Sequence, residues 1–202
     1  MLVFKDAEVI NPAMSNEAVL SWNESQAGYT KLTSDKRAFY YWANYSRLKP
    51  NAFYDSVVVQ LVQEFPQLKG ENFASLKTDM KNANTLPLLS LNEMLSRMSS
   101  YHAKDITGNN ASPSHNSSNG DTFGDRFKKF GLKNCGGENI SYGSGNTSPL
   151  FMLVLLYLDI NVSDLGHRKT LLNPYYIITG ISIEKYSNGN SFLVEDFACS
   201  QQ

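Results

Sequence analysis

The chain has 202 residues, of which 42% are hydrophobic and 18% are charged, and its formal net charge is -1. This length and composition are typical of a single globular domain with a sizeable core. The near-neutral charge argues against nucleic acid as a partner, because phosphate binding needs a basic face, and it gives no polybasic membrane signal. The longest apolar run, Leu150–Leu158, is far shorter than the roughly 20 residues of a transmembrane helix.

The first half of the chain predicts helices that follow an irregular arm of residues 1–33. Apolar residues recur there at helical spacing, and prolines close two of the segments. Ser34 is predicted to cap one helix, and Ser90-Leu91-Asn92-Glu93 has the form of a capping box before another. The predicted helices cover residues 16–22, 35–49, 51–65, 73–80 and 91–106.

The middle of the chain predicts a loop, a short helix and a strand. Residues 109–121 consist almost wholly of small polar residues, glycine and proline, and their one distinctive side chain is His115. Thr122 is predicted to cap a short helix that Gly131 ends. Residues 136–142 leave a glycine turn and enter a short strand.

The last third predicts two helices and a hairpin. Residues 150–160 are apolar nearly all round, which indicates a helix buried on all sides, and Ser163-Asp164 opens the next helix. Residues 176–186 and 191–199 are typical of strands, and the Asn188-Gly189 turn between them is a strong hairpin signal. Because helices come first and antiparallel strands come late, the pattern favours an α+β architecture.

Two of the three histidines and one glutamate lie in stretches typical of a functional site. These stretches are Ser114-His115-Asn116, Gly136-Gly137-Glu138 and Gly166-His167-Arg168. Glycine and small polar residues surround all three side chains, so no local apolar face explains them. The third histidine, His102, follows the apolar stripe of its helix and is interpreted as structural.

The order of these motifs resembles the CAP superfamily of cysteine-rich secretory, antigen 5 and pathogenesis-related 1 proteins, which contain the SCP domain. The resemblance is greatest to the bacterial branch, in which Gly-His-Arg replaces a longer eukaryotic signature. The matching motifs are Ala43-Asn44-Tyr45-Ser46-Arg47, His102-Ala103-Lys104-Asp105, Ser114-His115-Asn116, Gly120-Asp121-Thr122, Arg126, Gly131, Gly137-Glu138-Asn139-Ile140, Gly166-His167-Arg168 with Leu171-Leu172, and Gly180-Ile181-Ser182. The resemblance implies a three-layer α-β-α sandwich with a central, mainly antiparallel sheet. It places residues 34–202 in the CAP domain and leaves residues 1–33 as an N-terminal extension.

The resemblance also implies a cleft lined by two histidines and two acids. His115, Glu138 and His167 match three of these positions. The fourth position is normally a glutamate, and the nearest candidate here is Asp159, whose side chain is one methylene shorter. The position of Asp159 at the end of a predicted helix favours a solubilising residue over a ligand. Whether the chain has all four cleft residues therefore stays open.

A divalent metal such as zinc is the cofactor that this cleft would hold, on His115 and His167. Glu138 would orient an imidazole by accepting its N–H, as carboxylates behind metal ligands do. The alternative for Glu138 is a buried acid that is bonded to loop amides.

Three functions stay open. The first, which the resemblance implies, is a secreted, periplasmic or cell-envelope binding module for a small apolar or lipid ligand, whose leader would be absent from this sequence. The second is a metal-dependent hydrolase of the peptidase type with Glu138 as general base. The third is a structural surface protein. No nucleophile motif and only two certain imidazole ligands are present, whereas catalytic zinc usually has three protein ligands, so the sequence favours binding over catalysis.

Cys135 and Cys199 are the only two cysteines, and an even count permits one disulfide. Cys135 precedes the strand that contains Glu138, and Cys199 ends the last predicted strand. If those two strands pair in the sandwich, the two sulfurs meet.

Overall fold

The computed structural model describes residues 12–201 of the chain. Helical segments cover most of its first half, and the long strands follow in the second half. The helices are α1 (Glu17–Ser25), α2 (Ser34–Leu48), α3 (Pro50–Phe53), α4 (Val59–Glu64), α5 (Glu71–Asn82), α6 (Glu93–Gly108), α7 (Phe123–Lys129), α8 (Pro149–Leu158) and α9 (Gly166–Leu171). A π-helical segment (Tyr54–Val58) joins α3 to α4, and two 3₁₀ turns cover Tyr29–Lys31 and Pro66–Leu68. The strands are β1 (Ser90–Leu91), β2 (Gly136–Gly143), β3 (Ile178–Lys185) and β4 (Ser191–Ala198).

The four strands form one mixed sheet in the order β1-β3-β4-β2. The short β1 runs parallel to β3, whereas β3, β4 and β2 pair antiparallel. Helix α6 packs on one face of the sheet, and α2 and α8 pack on the other. At Gly180 a Cβ atom would lie 2.1 Å from the backbone of Leu95, so glycine is needed for α6 to approach β3. The predicted α+β sandwich of three layers is confirmed.

The largest core cluster lies between the sheet and α2 and α8. Helix α8 is buried along almost its whole length, as its composition predicts. The prediction of burial on all sides is wrong at Leu155, which is only partly buried because it lines an open pocket. Within residues 12–201 every helix is too short or too polar to cross a membrane.

Two predicted helix caps are wrong. Thr33 rather than Ser34 caps α2 and accepts a hydrogen bond from the backbone N–H of Lys36. Asn92 rather than Ser90 caps α6, because Ser90 belongs to β1 and donates its backbone N–H to Ile177. Because α6 begins at Glu93, the residue in its N-cap position is Asn92.

The segment before α2 packs against the rest of the fold. In α1, Asn23 is buried and its Oδ1 accepts a hydrogen bond of 2.9 Å from the amide of Asn44. The indole N–H of Trp22 donates to the carbonyl of Leu89 at 3.0 Å. Residues 12–33 of the predicted extension therefore share buried contacts with α2, while the remainder of that extension lies outside the described residues.

The predicted disulfide between Cys135 and Cys199 is present, with its two Cα atoms 5.5 Å apart. The strand pairing explains it, since Gly136 lies opposite Ala198 in the register of β2 and β4. The bond joins the residue before β2 to the residue after β4.

Candidate functional site

Two histidines from distant parts of the chain meet near β2, an edge strand of the sheet. His115 lies in the loop between α6 and α7, and His167 lies in the first turn of α9. Their rings are inclined by only 23°, with centroids 6.4 Å apart. The side chain of His115 is 50% exposed and that of His167 is 23% exposed, so the cleft is open to solvent.

Glu138, at the third position of β2, lies behind His115. Its Oε1 is 2.8 Å from Nδ1 of His115, and its Oε2 accepts a hydrogen bond of 2.5 Å from Nη2 of Arg126. Burial raises the pKa of Glu138, but the His115 hydrogen bond and the charge of Arg126 outweigh it and hold that pKa below its ordinary value. Glu138 is therefore an ionised carboxylate, and each of its oxygens accepts one hydrogen bond from these two partners.

Asp159 lies behind His167 in the same way. Its Oδ1 is 2.5 Å from Nδ1 of His167, and its Oδ2 accepts the backbone N–H of Arg168 at 2.9 Å. The residue ends α8 in the left-handed region, with φ of 48°, and is 1% exposed. The interpretation of Asp159 as a solubilising residue is thus wrong: the chain turns back after α8 and directs the carboxylate inward.

Both imidazoles are consequently bound in the same tautomer. A carboxylate only accepts hydrogen bonds, so Nδ1 of His115 and Nδ1 of His167 are the donors. Each ring keeps Nε2 as the atom available to a ligand. The structure therefore brings His115, Glu138, His167 and Asp159 together as two histidine–carboxylate pairs.

The loop that contains His115 is held by groups whose role local sequence patterns do not reveal. Arg126 is fully buried and donates from Nη1 to the carbonyl of His115 at 2.9 Å. His102 is also fully buried, and its Nε2 donates to the carbonyl of Ser114 at 2.8 Å. Burial lowers the pKa of His102, which favours the neutral ring. Arg126 is one of the residues that carry the family resemblance. Its burial depends on contacts with distant segments, and no periodic pattern in the sequence around it indicates that burial.

An apolar pocket of about 520 Å³ adjoins the His167–Asp159 pair. Its walls come from β2, from α8 and from the segment after α8, and its apolar lining includes Ile140, Phe151, Leu155 and Val162. His167 and Asp159 also line the pocket, so the second histidine–carboxylate pair belongs to both features. Leu155 is partly exposed because it lines this pocket.

The two imidazoles are the groups of this cleft that could serve as metal ligands. Within residues 12–201 no group of three or more His, Cys, Asp and Glu side chains is arranged to hold a metal ion. The two carboxylates occupy the Nδ1 atoms, an arrangement that orients histidine ligands and raises their basicity. The imidazole nitrogens left for an ion are Nε2 of His115 and Nε2 of His167, and water or a ligand would have to complete its shell.

Comparison with known proteins gives a family and several similar solved structures. The CAP model, described as the cysteine-rich secretory protein family, matches residues 44–197. An extracellular protein containing a SCP domain from Bacillus anthracis is 24% identical, with a TM-score of 0.45, over 68% of this chain and 43% of that chain. An outer surface protein from Borrelia burgdorferi is 18% identical, with a TM-score of 0.46, over 68% of this chain and 94% of that chain. The present chain thus spans less than half of the Bacillus protein. None of the curated proteins compared with the chain matches it.

Proposed function

Because the chain belongs to the cysteine-rich secretory protein (CAP) family, we propose that it is a secreted or cell-envelope binding module. The ligand is a small apolar or lipid molecule that occupies the pocket beside His167. A divalent metal such as zinc is bound by His115 and His167. The family membership and the extracellular and outer-surface relatives named above support the address outside the cytoplasm.

The observation that carries this proposal is the continuity of the apolar pocket with the His167–Asp159 pair. Its wall includes the side chain of Leu155, which is only partly buried although most of α8 packs into the core. A pocket of about 520 Å³ lies within the roughly 300–1,000 Å³ of small-molecule sites, which are mostly apolar with a few polar groups that fix orientation. The pocket therefore suits an alkyl chain or ring system whose polar end lies near His167.

The hydrolase alternative finds less support at Glu138. A general base must lie within hydrogen-bond reach of the proton that it takes from water, and a pKa near neutrality serves it best. Both oxygens of Glu138 accept short hydrogen bonds, and the pKa is lowered rather than raised. Metal binding with Glu138 as the orienting carboxylate accounts for the same geometry without a catalytic step.

Displacement of a fluorescent fatty acid tests the proposal. We expect the parent protein to bind the probe and Leu155→Asp to bind it at least about tenfold more weakly, because a charge on the pocket wall is costly to desolvate. Ile177→Asp is the matched control, since Ile177 is partly exposed and absent from the pocket lining. Equal affinity of the parent and Leu155→Asp for the probe would contradict the assignment of the pocket.

A further inference from the structure

Two consecutive acids lie in β4, next to the part of β2 that contains Glu138. Glu195 and Asp196 are both fully buried. The register of β2 and β4 sets Asp196 opposite Glu138 and Glu195 opposite Asn139. Because successive strand residues point to opposite faces, one pair lies on each face of the sheet.

The two β2 residues opposite these acids each form a hydrogen bond with one of the two histidines. Glu138 accepts Nδ1–H of His115, as described above. Asn139 is buried, and its amide Nδ2 donates to the backbone carbonyl of His167 at 3.2 Å. Glu195 and Asp196 are therefore positioned to act on the site through one intermediate residue each.

The hydrogen bonds beneath the site are incomplete if both acids are ionised. Among residues 12–201, buried oxygens without a hydrogen-bond partner include Oδ1 and Oδ2 of Asp196, Oε2 of Glu195 and Oδ1 of Asn139. Unpaired buried oxygens of this kind are costly. A carboxylate can only accept, whereas a protonated carboxyl group also donates one O–H. Opposed residues in a sheet have Cβ atoms about 4.5–5.5 Å apart, which brings such a proton within reach of the partner side chain.

The charges around Asp196 also favour its neutral form. On its face of the sheet Asp196 meets the Glu138 carboxylate and the Arg126 guanidinium, near the neutral His102, and Glu138 already pairs with Arg126. Burial, followed by the Glu138 charge, raises the pKa of Asp196 well above its ordinary value.

On the opposite face Glu195 meets Arg47, the hydroxyl of Thr179 and, near Arg47, Tyr157. Arg47 directs its N–H groups to backbone carbonyls, including those of Leu171 and Tyr176, and leaves the Glu195 charge unpaired. Burial raises the pKa of Glu195 to about 8.

We propose that Glu195 and Asp196 are uncharged carboxylic acids at neutral pH and act as positioning residues for the two histidines. Asp196 donates its proton to the Glu138 carboxylate, which thereby keeps the orientation that holds His115. Glu195 donates to Oδ1 of Asn139, which fixes the amide so that Nδ2 points at the His167 carbonyl. This inference rests on the proposed function in that it concerns the same cleft, but its test needs neither metal nor lipid.

Carboxyl ¹³C NMR of the full chain labelled at Asp and Glu is the direct test. We expect the Glu195 and Asp196 carboxyl carbons to have protonated shifts at pH 6.5. On raising the pH, the Glu195 carbon should titrate near pH 8, and the Asn139 side-chain amide and His167 backbone amide should shift with the same midpoint. Titration of both carboxyls below pH 5, or an Asn139 amide that ignores the Glu195 transition, would overturn the proposal.

Variants separate positioning from simple core packing. Glu195→Gln keeps a donor in place of the O–H, so it should keep the neutral-pH signals of Asn139 and His167 and remove their transition near pH 8. Glu195→Met keeps the volume but removes the donor, so both signals should shift already at neutral pH. If Glu195→Met fails to fold, Glu195→Gln alone decides, since persistence of the pH 8 transition in that variant would refute the assignment.

A zinc titration of the same samples distinguishes this inference from the proposed function. If zinc binds, Glu195→Met should weaken zinc binding about tenfold, which is the typical effect of losing a group behind a metal ligand. Glu195→Gln should bind zinc as tightly as the parent. If the NMR results hold and zinc does not bind, the metal proposal fails and the positioning role stands. If zinc binds and both acids titrate below pH 5, the positioning role fails alone.

Discussion

At the scale of single residues, the site is defined by which nitrogen of each imidazole is already used. Glu138 and Asp159 take Nδ1 of His115 and His167, so each ring offers only Nε2 to the cleft. The carboxylates therefore serve as orienting groups rather than as ligands. The remaining histidine, His102, is buried and bonded to the backbone, so it cannot replace either ring in the cleft.

The proposed zinc site can be tested by metal titration. We expect calorimetry to detect one weak zinc site at neutral pH, with binding lost in the double variant His115→Ala/His167→Ala. Binding should also weaken as the solution is made more acidic, because protons compete with zinc for the ligand nitrogens. Asp159→Asn should lower the affinity about 10-fold or more, because the ring loses its charged partner. A double variant that binds zinc like the parent would refute the assignment, provided that its melting temperature is unchanged.

Glu195 predicts an unusual dependence of stability on pH. Its pKa is raised from 4.5 to about 8 in the folded chain, so its contribution to stability is fully present below about pH 4.5 and is lost as pH rises towards 8. Glu195→Gln should therefore gain stability relative to the parent by up to about 1.4 kcal/mol for each pH unit in this window. Urea unfolding at pH 5, 6.5 and 8 measures the gain, and parallel curves for the two proteins would show that Glu195 is ionised in the fold.

At the scale of elements, α8 combines two environments on one helix. Most of its side chains belong to the core, but Leu155 opens onto the pocket, and the helix ends in the left-handed Asp159 that turns the chain towards α9. The helix thus supplies a core, a pocket wall and the acid behind His167. This division predicts different outcomes for the same change at two neighbouring leucines.

Leu153→Asp should prevent cooperative folding, because Leu153 is fully buried and an unpaired charge there has no solvent. Leu155→Asp should fold and lose about 1–3 kcal/mol, because its carboxylate can reach water in the pocket. Circular dichroism during urea unfolding distinguishes the two. If Leu155→Asp were the variant that fails to fold, the pocket beside α8 would be wrongly placed.

At the scale of the whole molecule, the disulfide ties the residue before β2 to the residue after β4. It closes a loop with a sequence separation of 64 residues. The loop contains α8, α9 and the three long strands, so it spans much of the site. Cross-linking so long a segment restricts the unfolded chain more than the folded one.

Cys135→Ser/Cys199→Ser should therefore lower the free energy of unfolding by about 4 kcal/mol, according to the chain-entropy relation. The folded variant should still bind the fluorescent fatty acid, because neither cysteine lines the pocket. Guanidinium unfolding of the variant, with the reduced parent as a control, gives the value. A loss below about 1 kcal/mol would mean that the bond adds little to the paired strands.

The sequence alone determined features that depend on neighbouring residues. Thr122 begins α7, the Asn188-Gly189 turn joins β3 to β4, and helices precede the antiparallel strands, because caps, turns and periodicity act over a few positions. The order of short motifs also identified the family and selected His115, Glu138 and His167 as site residues.

Only the tertiary structure decided how those residues are used. Asp159 points inward, Leu155 lines a pocket, and Ser90 enters β1 instead of capping α6, because each outcome depends on what the returning chain places beside the residue. The same holds for the two acids of β4, whose environments differ although they are adjacent in sequence. A local pattern specifies which face a side chain occupies, whereas charge, burial and partners are set by segments that meet from distant positions.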